Sequence, residues 1–394
     1  MSSSSWPAAR ELAYAAGAAL QRTIITRPLQ EAVGQVLAAD LAARYPIPHC
    51  ATSAMDGYAV SGPGGWDLVD ARVDHRADPG MLSAGQAARI VTGGVVPAGC
   101  TAILRSEQSL LRGTALTATT EPIPGVDIRP AGREAAVGEM LIGAGALLTP
   151  GLVAVAAIAG YDEIETVGCP PVRLLFTGDE VIASGTPAPG QVRDSFGPVL
   201  PACTRFLGGV PAGAQRIGDD RALTIAALDS PEARSAQLII STGGTGHSDI
   251  DHLRPAAAAL GAEVLIDSID MRPGHPAMLS RFPDGRLLAA LPGNPLAALM
   301  ALMTLVEPIL RGATGRPASA PCMAVSALEI QPLPGRHRLV PARWVAAGGV
   351  DALAPAEHVA SAMMRGLGEA DAILVLPPHG VAQGAPVPYL PLPW

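Results

Sequence analysis

Three stretches, VRLLF-TGDE (172–180), QLIIS-TGGTG (237–246) and RLLAAL-PGNP (286–295), repeat one pattern in which an apolar run leads into a turn. Such short apolar runs are typical of strands that are buried on both faces. Between and after them the sequence favours helices, including an Ala-rich segment at 252–260. Strands that alternate with helices predict an α/β fold with a doubly wound, mostly parallel sheet.

The three turns all follow the carboxyl ends of predicted strands, which is where such sheets bind ligands. In the second turn, Gly243 and Gly244 would let successive backbone N–H groups converge on a phosphate. A tight strand-to-helix turn without a ligand fits the same residues. In the third turn, Asn294 is the only Asn of the chain and precedes Pro295, as expected at a helix start.

Acidic side chains accompany these turns. Glu180 ends the first turn, and Asp249 and Asp251 follow the second. Their oxygens suit Mg²⁺, which bridges one or two carboxylates to substrate phosphates. A solvated acidic turn and a helix cap are the alternatives. A further turn, MRPGHP (271–276), offers the guanidinium of an Arg for capture of an oxyanion.

Composition excludes several classes of protein. With 49% hydrophobic and 16% charged residues the chain is globular, and a net charge of −8 argues against nucleic-acid binding. All 27 basic residues are Arg, and the five Cys are scattered without a zinc pattern, which suits a reducing cytosol. The start lacks the features of a signal peptide, and the apolar run 296–306 is too short for a bilayer, so no membrane contact is expected.

Changes in pattern along the chain predict four domains. A helical and linker domain contains two helical segments between residues 8 and 43 and a third helix from about Pro150 to Ala159. Short β-like runs separated by Gly and Pro predict a β-rich domain, and similar runs predict a terminal one. The predicted boundaries are 1–46 with 131–170 (helical and linker), 47–130 (β-rich), 171–316 (α/β) and 317–394 (C-terminal, β-barrel-like).

Several motifs together resemble one family, the molybdopterin molybdenumtransferases, which include the E domain of gephyrin. The resemblance covers nearly the whole chain, and its motifs occur in the family's order: SAMDGYAV (53–60), TGGVVPAG (92–99), FTGDE (176–180), STGGTG (241–246), MRPGHP (271–276) and LPGNP (291–295). A shorter resemblance, through TGGTG and LPGNP, extends to molybdopterin adenylyltransferases and nicotinamide-nucleotide amidases.

The resemblance implies a cytoplasmic enzyme of molybdenum cofactor biosynthesis. It would insert molybdate into adenylylated molybdopterin with Mg²⁺-dependent release of AMP. The family implies a homodimer whose active site is shared between subunits, and a molybdopterin adenylyltransferase as a possible partner. The implied catalytic residues are Glu180, Asp219, Asp251, Asp56 and Glu134, of which Glu180 and Asp251 would bind Mg²⁺. The implied substrate-binding residues are Thr92, Gly243, Gly244, Arg272, His275, Pro292, Gly293, Asn294, Pro295, Arg343 and Ser361.

Within this resemblance, Asp56 and Thr92 would approach the substrate from the partner subunit, and Arg343 and Ser361 would lie near molybdate. Five residues depart from the family's pattern: Phe196 replaces an Asn, Ser248 a Gly, Glu134 an Asp, and Arg272 and His275 each replace a Lys. A molybdopterin-binding scaffold without turnover is therefore one alternative function, and a relative of the adenylyltransferases or amidases is another.

Overall fold

The structure is a computed structural model that describes residues 3–72, 80–246 and 251–394. Contacts divide the chain into two compact units: a large unit, Met1–Ile25 with Val167–Trp394, and a small unit, Thr26–Thr166. The finer division into four domains stays a prediction. Within the described residues the α-helices are Trp6–Ala18, Pro150–Ile158, Leu200–Leu207, Arg221–Leu228, Pro231–Arg234, Leu253–Ala259, Pro295–Ala301, Glu307–Thr314 and Arg365–Gly368.

The centre of the large unit is a six-stranded sheet. In spatial order its strands are Val210–Arg216, Pro171–Phe176, Leu238–Thr242, Leu287–Leu291, Met278–Arg281 and Glu263–Ile266. The first four are parallel to one another, and Met278–Arg281 is antiparallel to both of its neighbours. The predicted mostly parallel sheet is therefore confirmed, and the three apolar runs are adjacent strands within it.

The strands of this sheet are apolar throughout because both faces are covered. Leu174 and Phe176 belong to one hydrophobic cluster, whereas Leu175, on the opposite face, belongs to another. The strand Leu238–Thr242 is buried at every position and divides between the two clusters in the same way. Two-sided burial explains why these strands show no alternation of polar and apolar residues.

A long helical segment, Pro295–Thr314, runs through the core of the large unit. Its middle, Leu302–Val306, is π-helical. It is longer than the apolar run seen in the sequence, and among the described residues it has the length and hydropathy of a membrane span. However, 94% of an 18-residue window of it is buried inside the protein. The segment is therefore a core helix.

The first helix, Trp6–Ala18, packs against this core helix. Trp6 Nε1 donates to Thr304 Oγ1 at 3.1 Å, and Arg10 donates to the Met303 carbonyl and, at 2.9 Å, to Glu307. The two backbones approach closely at Gly17, where an added Cβ would lie 2.0 Å from the Ile309 carbonyl oxygen. The helix thus belongs to the large unit although the sequence assigned it to a linker domain.

The C-terminal part of the large unit is a closed five-stranded barrel, as predicted. Its strands, in order around the barrel, are His337–Ala347, Val350–Pro355, Cys322–Ser326, Pro386–Pro391 and Ala372–Leu376, and the last pairs with the first. Aliphatic side chains such as Leu353 and Leu374 fill its interior. The strand Ile269–Arg272, which begins the MRPGHP turn, extends this sheet in parallel with His337–Ala347.

The small unit is rich in β-structure, as predicted. Its main sheet has six strands, in the order Ser109–Arg112, Ala115–Ala118, Trp66–Arg72, Gln86–Ile90, Gly57–Val60 and Ala102–Arg105. The smaller pairs join Thr52–Ser53 to Ile128–Arg129 and Leu41–Ala42 to Met140–Ile142. The predicted helix near residues 150–159 is confirmed as Pro150–Ile158, which Thr149 caps.

The second predicted helical segment before residue 43 is wrong. This region contains the strands Ile24–Pro28, Val36–Leu37 and Leu41–Ala42 and a short 3-10 turn, Leu29–Glu31. Exposure alternates along Ile24–Pro28, because every second side chain faces solvent. β-branched side chains favour an extended backbone here, and Pro28 could not stand inside a helix.

The close approach at Gly17 gives a test of the helix packing. In an exposed helix Gly→Ala stabilises by about 1 kcal/mol. Here we expect Gly17→Ala to lower the free energy of unfolding by about 1–3 kcal/mol, because the new methyl group overpacks the interface. Gly151→Ala is the matched control, since a Cβ there meets only Thr149 Oγ1 at 3.7 Å. Urea unfolding followed by circular dichroism measures both, and a Gly17→Ala variant as stable as wild type would contradict the packing.

Candidate functional site

The three turns that follow the apolar runs meet at one edge of the central sheet. Thr177 donates its backbone N–H to the Thr242 carbonyl at 3.2 Å and its hydroxyl to the same oxygen at 3.0 Å. Gly243 in turn donates its N–H to the Leu291 carbonyl at 3.0 Å. Each turn is therefore held to the next by hydrogen bonds between strand ends.

The second turn requires glycine at two successive positions. Gly243 and Gly244 have φ of +84° and +63°, in the left-handed region. A Cβ on Gly243 would also lie 2.5 Å from Thr177 Oγ1. The Gly243 N–H is taken by Leu291, but a glycine turn of this kind can direct the backbone N–H groups that follow it toward a bound anion. The predicted glycines therefore lie where a phosphate could approach the backbone.

A pocket of about 790 Å³ opens above these turns. Of the predicted site residues, it is lined by Glu180, Asp219, Asp251, Gly243, Gly244, Pro292, Gly293, Asn294 and Pro295. The turns Thr177–Glu180, Gly243–Gly246 and Pro292–Pro295 all contribute, so the structure brings the three predicted turns together at one pocket. The loops at 192–196 and 362–364 close its sides.

Carboxylates dominate the charge of the pocket. Glu180, Asp219 and Asp251 line it together with Asp194, and Arg193 is the one positively charged residue among its described lining. Asp219 is held by the preceding turn, because its carboxylate accepts the Asp179 N–H at 3.2 Å. A phosphate-bearing ligand would meet repulsion here unless a cation accompanied it.

The donor set fits Mg²⁺ in the manner expected of a phosphate site. Within the described residues, no three His, Cys, Asp or Glu side chains group closely enough to hold a metal by themselves. Mg²⁺ does not need such a cage, because it keeps several waters and binds one or two carboxylates plus substrate phosphates. Glu180, Asp219 and Asp251 are the side chains that could hold it.

The third turn begins the core helix and leaves its Asn exposed. Asn294 stands at the N-cap position and Pro295 is the first helical residue, but the Asn294 side chain makes no capping hydrogen bond. The Ala297 N–H is instead satisfied by the Ser361 carbonyl at 3.2 Å. The side-chain amide of Asn294 therefore does not cap the helix. The backbone of Ser361 lies beside the pocket, where its carbonyl contacts the start of the helix.

Arg272, His275 and Arg343 do not line the pocket. Arg272 is exposed on the Ile269–Arg272 strand, and Arg343 is exposed with its nearest carboxylate, Glu369, at 3.9 Å. His275 is half-buried, and its Nδ1 donates to the Ile269 carbonyl at 2.7 Å. That bond places the proton on Nδ1. Pro276 is the residue of this turn that reaches the pocket.

The small unit contains three of the predicted site residues, and a hydrogen bond joins two of them. The Asp56 carboxylate accepts the Thr92 N–H at 2.6 Å, so the SAMDGYAV and TGGVV turns form one structure. Hydrogen bonds from Thr92 lower the pKa of Asp56 below its usual value and keep it ionised. Glu134 is exposed, and its backbone N–H donates to Ile47.

In the loop Arg193–Gly197 the sequence pointed only to Phe196, as a departure from the family's pattern, and not to its neighbours. Arg193, Asp194 and Ser195 line the pocket, and so does Phe196, which is half-buried and packs on the main core. The Asp194 carboxylate accepts the N–H groups of Phe196 and Gly197 at 2.9 and 3.0 Å. Ser248 and Asp249, which were also singled out in the sequence, lie outside the described residues.

Two parts of the chain match known families. Residues 5–160 match the family described as MoeA N-terminal region (domain I and II), and residues 173–312 match the probable molybdopterin binding domain. A molybdopterin molybdenumtransferase 2 from Mycobacterium tuberculosis (strain CDC 1551 / Oshkosh) is 33% identical, over 74% of this chain and 76% of that protein. A molybdopterin molybdenumtransferase from Nostoc sp. (strain PCC 7120) is 31% identical, over 72% of this chain and 68% of that protein.

The fold has a solved counterpart of the same extent. The crystal structure of a molybdopterin biosynthesis MoeA protein from Pyrococcus horikoshii OT3 superposes with a TM-score of 0.82 at 20% identity, covering 99% of this chain and 100% of that one. The chain thus has a multidomain fold built around the α/β domain that matches the probable molybdopterin binding domain. The chain belongs to the molybdopterin molybdenumtransferase family, and its function is molybdenum insertion in molybdenum cofactor biosynthesis.

Because the Asn294 amide is exposed and makes no capping bond, we expect its loss to affect the free energy of unfolding less than the loss of a true helix cap. Asn294→Ala should change the free energy of unfolding by no more than about 0.5 kcal/mol, because no capping bond is lost. Thr149→Ala is the matched control: Thr149 also precedes a helical Pro, but its hydroxyl accepts the Leu152 N–H at 3.3 Å. Losing that cap should cost about 1 kcal/mol. Equal losses in denaturant titrations would mean that Asn294 caps its helix after all.

Asp194 predicts a dependence of stability on pH. Partial burial opposes ionisation, but the Gly197 and Phe196 amides and Arg216 together lower its pKa below the usual 3.8. A carboxyl group whose pKa is lower in the folded protein than in the unfolded chain stabilises the folded state at pH values above the unfolded-state pKa. This stabilisation is lost as the pH falls through the pKa of the folded state. Asp194→Asn should therefore be less stable than wild type at pH 7, and the difference should shrink below about pH 4. A difference in unfolding free energy that stays constant with pH would contradict this.

Proposed function

We propose that this chain transfers molybdenum from molybdate to adenylylated molybdopterin, with Mg²⁺-dependent release of AMP. The supporting observation is the acidic pocket in which a glycine turn, three carboxylates and the Asn294 loop converge. Family membership supports the transfer of molybdenum. The adenylylated substrate is what the resemblance to the family implies, and the acidic lining of the pocket supports a cation bound together with a phosphate.

The Gly243 N–H is used by Leu291, so the backbone N–H groups that follow it in the Gly243–Gly246 turn would bind the phosphate oxygens, because glycines there leave the donors without Cβ obstruction. Mg²⁺, when bound, would neutralise charge on the phosphates and polarise the bond that is cleaved. Glu180, Asp219 and Asp251 would hold it. The exposed amide of Asn294 and the chain around Gly293 would orient the pterin end of the substrate.

We further propose that the protein works in the cytoplasm as a homodimer. Asp56 and Thr92 would then reach the substrate from the partner subunit, together with Glu134. The hydrogen bond between Asp56 and Thr92 supports a joint role, since it fixes an ionised carboxylate at an exposed turn. Arg272, His275, Arg343 and Ser361 would contribute to anion or molybdate binding, and a molybdopterin adenylyltransferase would supply the substrate.

Two other functions make different predictions. A scaffold would bind adenylylated molybdopterin tightly without releasing AMP, and Phe196 and His275 are the residues that favour it. An adenylyltransferase would move the adenylyl group from ATP to molybdopterin without molybdate. The match of residues 5–160 to the MoeA N-terminal region favours molybdenum insertion over this second alternative.

Substitutions of the pocket carboxylates test the proposed function most directly. Glu180→Ala and Asp251→Ala should each lower molybdate-dependent AMP release by orders of magnitude, because a phosphate site without its cation ligands repels the substrate. Both variants should unfold at nearly the wild-type temperature, since Glu180 is exposed and Asp251 only half-buried. Glu263→Gln, at an exposed ion pair outside the pocket, is the control. Wild-type turnover in either Ala variant would show that the carboxylates were misassigned.

A further inference from the structure

The pocket loop Arg193–Gly197 is organised around one carboxylate. The Asp194 side chain is 8% exposed although the residue lines an open pocket. One of its oxygens accepts the Phe196 and Gly197 N–H groups, and the other accepts Arg216 Nη2 at 2.6 Å. Three donors occupy most of the acceptor capacity of a carboxylate. Asp194 is therefore committed to the protein and has little left for a substrate.

The partner of Asp194 is itself fixed to the central sheet. Arg216 ends the edge strand Val210–Arg216 and stands in register with Phe176 on the neighbouring strand. Its guanidinium carbon lies 5.5 Å from the centroid of the Phe176 ring, which is buried. The ion pair thus ties a surface loop to two strands of the rigid sheet.

The same loop is tied to the turn that carries Glu180. The Val192 N–H donates to the Glu180 carbonyl and the Asp194 N–H to the Ile182 carbonyl, both at 2.9 Å. These bonds form the short parallel pair of Val181–Ile182 with Val192–Arg193. A displacement of Asp194 would therefore be transmitted to the backbone of Glu180.

We propose that Asp194, tethered by Arg216, is a positioning residue for molybdenum insertion. It fixes the pocket wall formed by Ser195 and Phe196 and the orientation of Glu180 without touching the substrate. The role of Glu180 in turnover is part of the function proposed above, whereas the tether is a property of the ligand-free protein. The two can therefore be tested separately.

Two variants separate the parts of the tether. Arg216→Met removes the ion pair but leaves Asp194 to accept the two amides. Asp194→Ala removes both interactions. Hydrogen–deuterium exchange of the ligand-free protein should show faster exchange at Phe196 and Gly197 in Asp194→Ala, and a smaller change in Arg216→Met. Glu263→Gln, which disrupts an exposed ion pair of the same 2.6 Å length outside the pocket, is the control and should leave these amides unchanged.

The kinetic consequence follows from misplacement of catalytic groups. Asp194→Ala should lower kcat/KM for molybdate-dependent AMP release by about 10- to 100-fold, mainly through kcat, and Arg216→Met by less. Because Arg216 acts through Asp194, the double variant should be no slower than Asp194→Ala alone. Independent structural contributions would instead multiply. Calorimetric titration of adenylylated molybdopterin gives the fraction of competent protein, so a loss of folded enzyme is not mistaken for a lower kcat.

The outcomes are distinct. The proposal would be overturned if amide exchange and kcat/KM in both variants matched those of Glu263→Gln. It would also be overturned if the losses of kcat/KM of the two single variants multiplied in the double variant. Should Asp194→Ala fail to fold, Arg216→Met alone decides by the same two readouts. A wild-type protein that releases no AMP would refute the proposed function, and the exchange comparison would still test the tether.

Discussion

The hydrogen bonds between neighbouring strand ends are the interactions on which the site depends. Thr177 donates to Thr242, and Gly243 donates to Leu291, so three turns that are distant in sequence become one surface. The strands that carry them are buried on both faces, which makes the edge rigid. Apart from the Thr177 hydroxyl, these bonds use backbone groups, so the acidic side chains and the remaining amides of the turns can face a ligand.

The electrostatics of the pocket complement this rigid edge. Four carboxylates and one Arg line it among the described residues, which is an unusual environment for an anionic substrate. A divalent cation bound with the substrate, as we propose, would resolve the conflict, because it would turn the repulsion between carboxylates and phosphates into shared coordination.

The sequence predicted those parts of the molecule that local pattern controls. Continuous apolar runs specify strands with two covered faces, and glycines at strand ends specify turns, so the sheet and the turns at Glu180, Gly243 and Asn294 were found. The segment at 24–42 was misread because helical and extended patterns are hard to distinguish over a few residues. The sequence placed the first helix in a linker domain, but its packing partner, around Ile309, is nearly three hundred residues away.

The loop at Asp194 shows why the rest of the site could not be read in advance. Its position depends on Arg216 and on the ring of Phe176, neither of which is near it in sequence. We propose that this edge of the central sheet binds the substrate's phosphate. A crystal structure with AMP and Mg²⁺ tests it most directly: the phosphate should lie about 3 Å from backbone nitrogens of the Gly243–Gly246 turn, with the cation beside Glu180 or Asp251. A phosphate bound on any other surface would contradict the account.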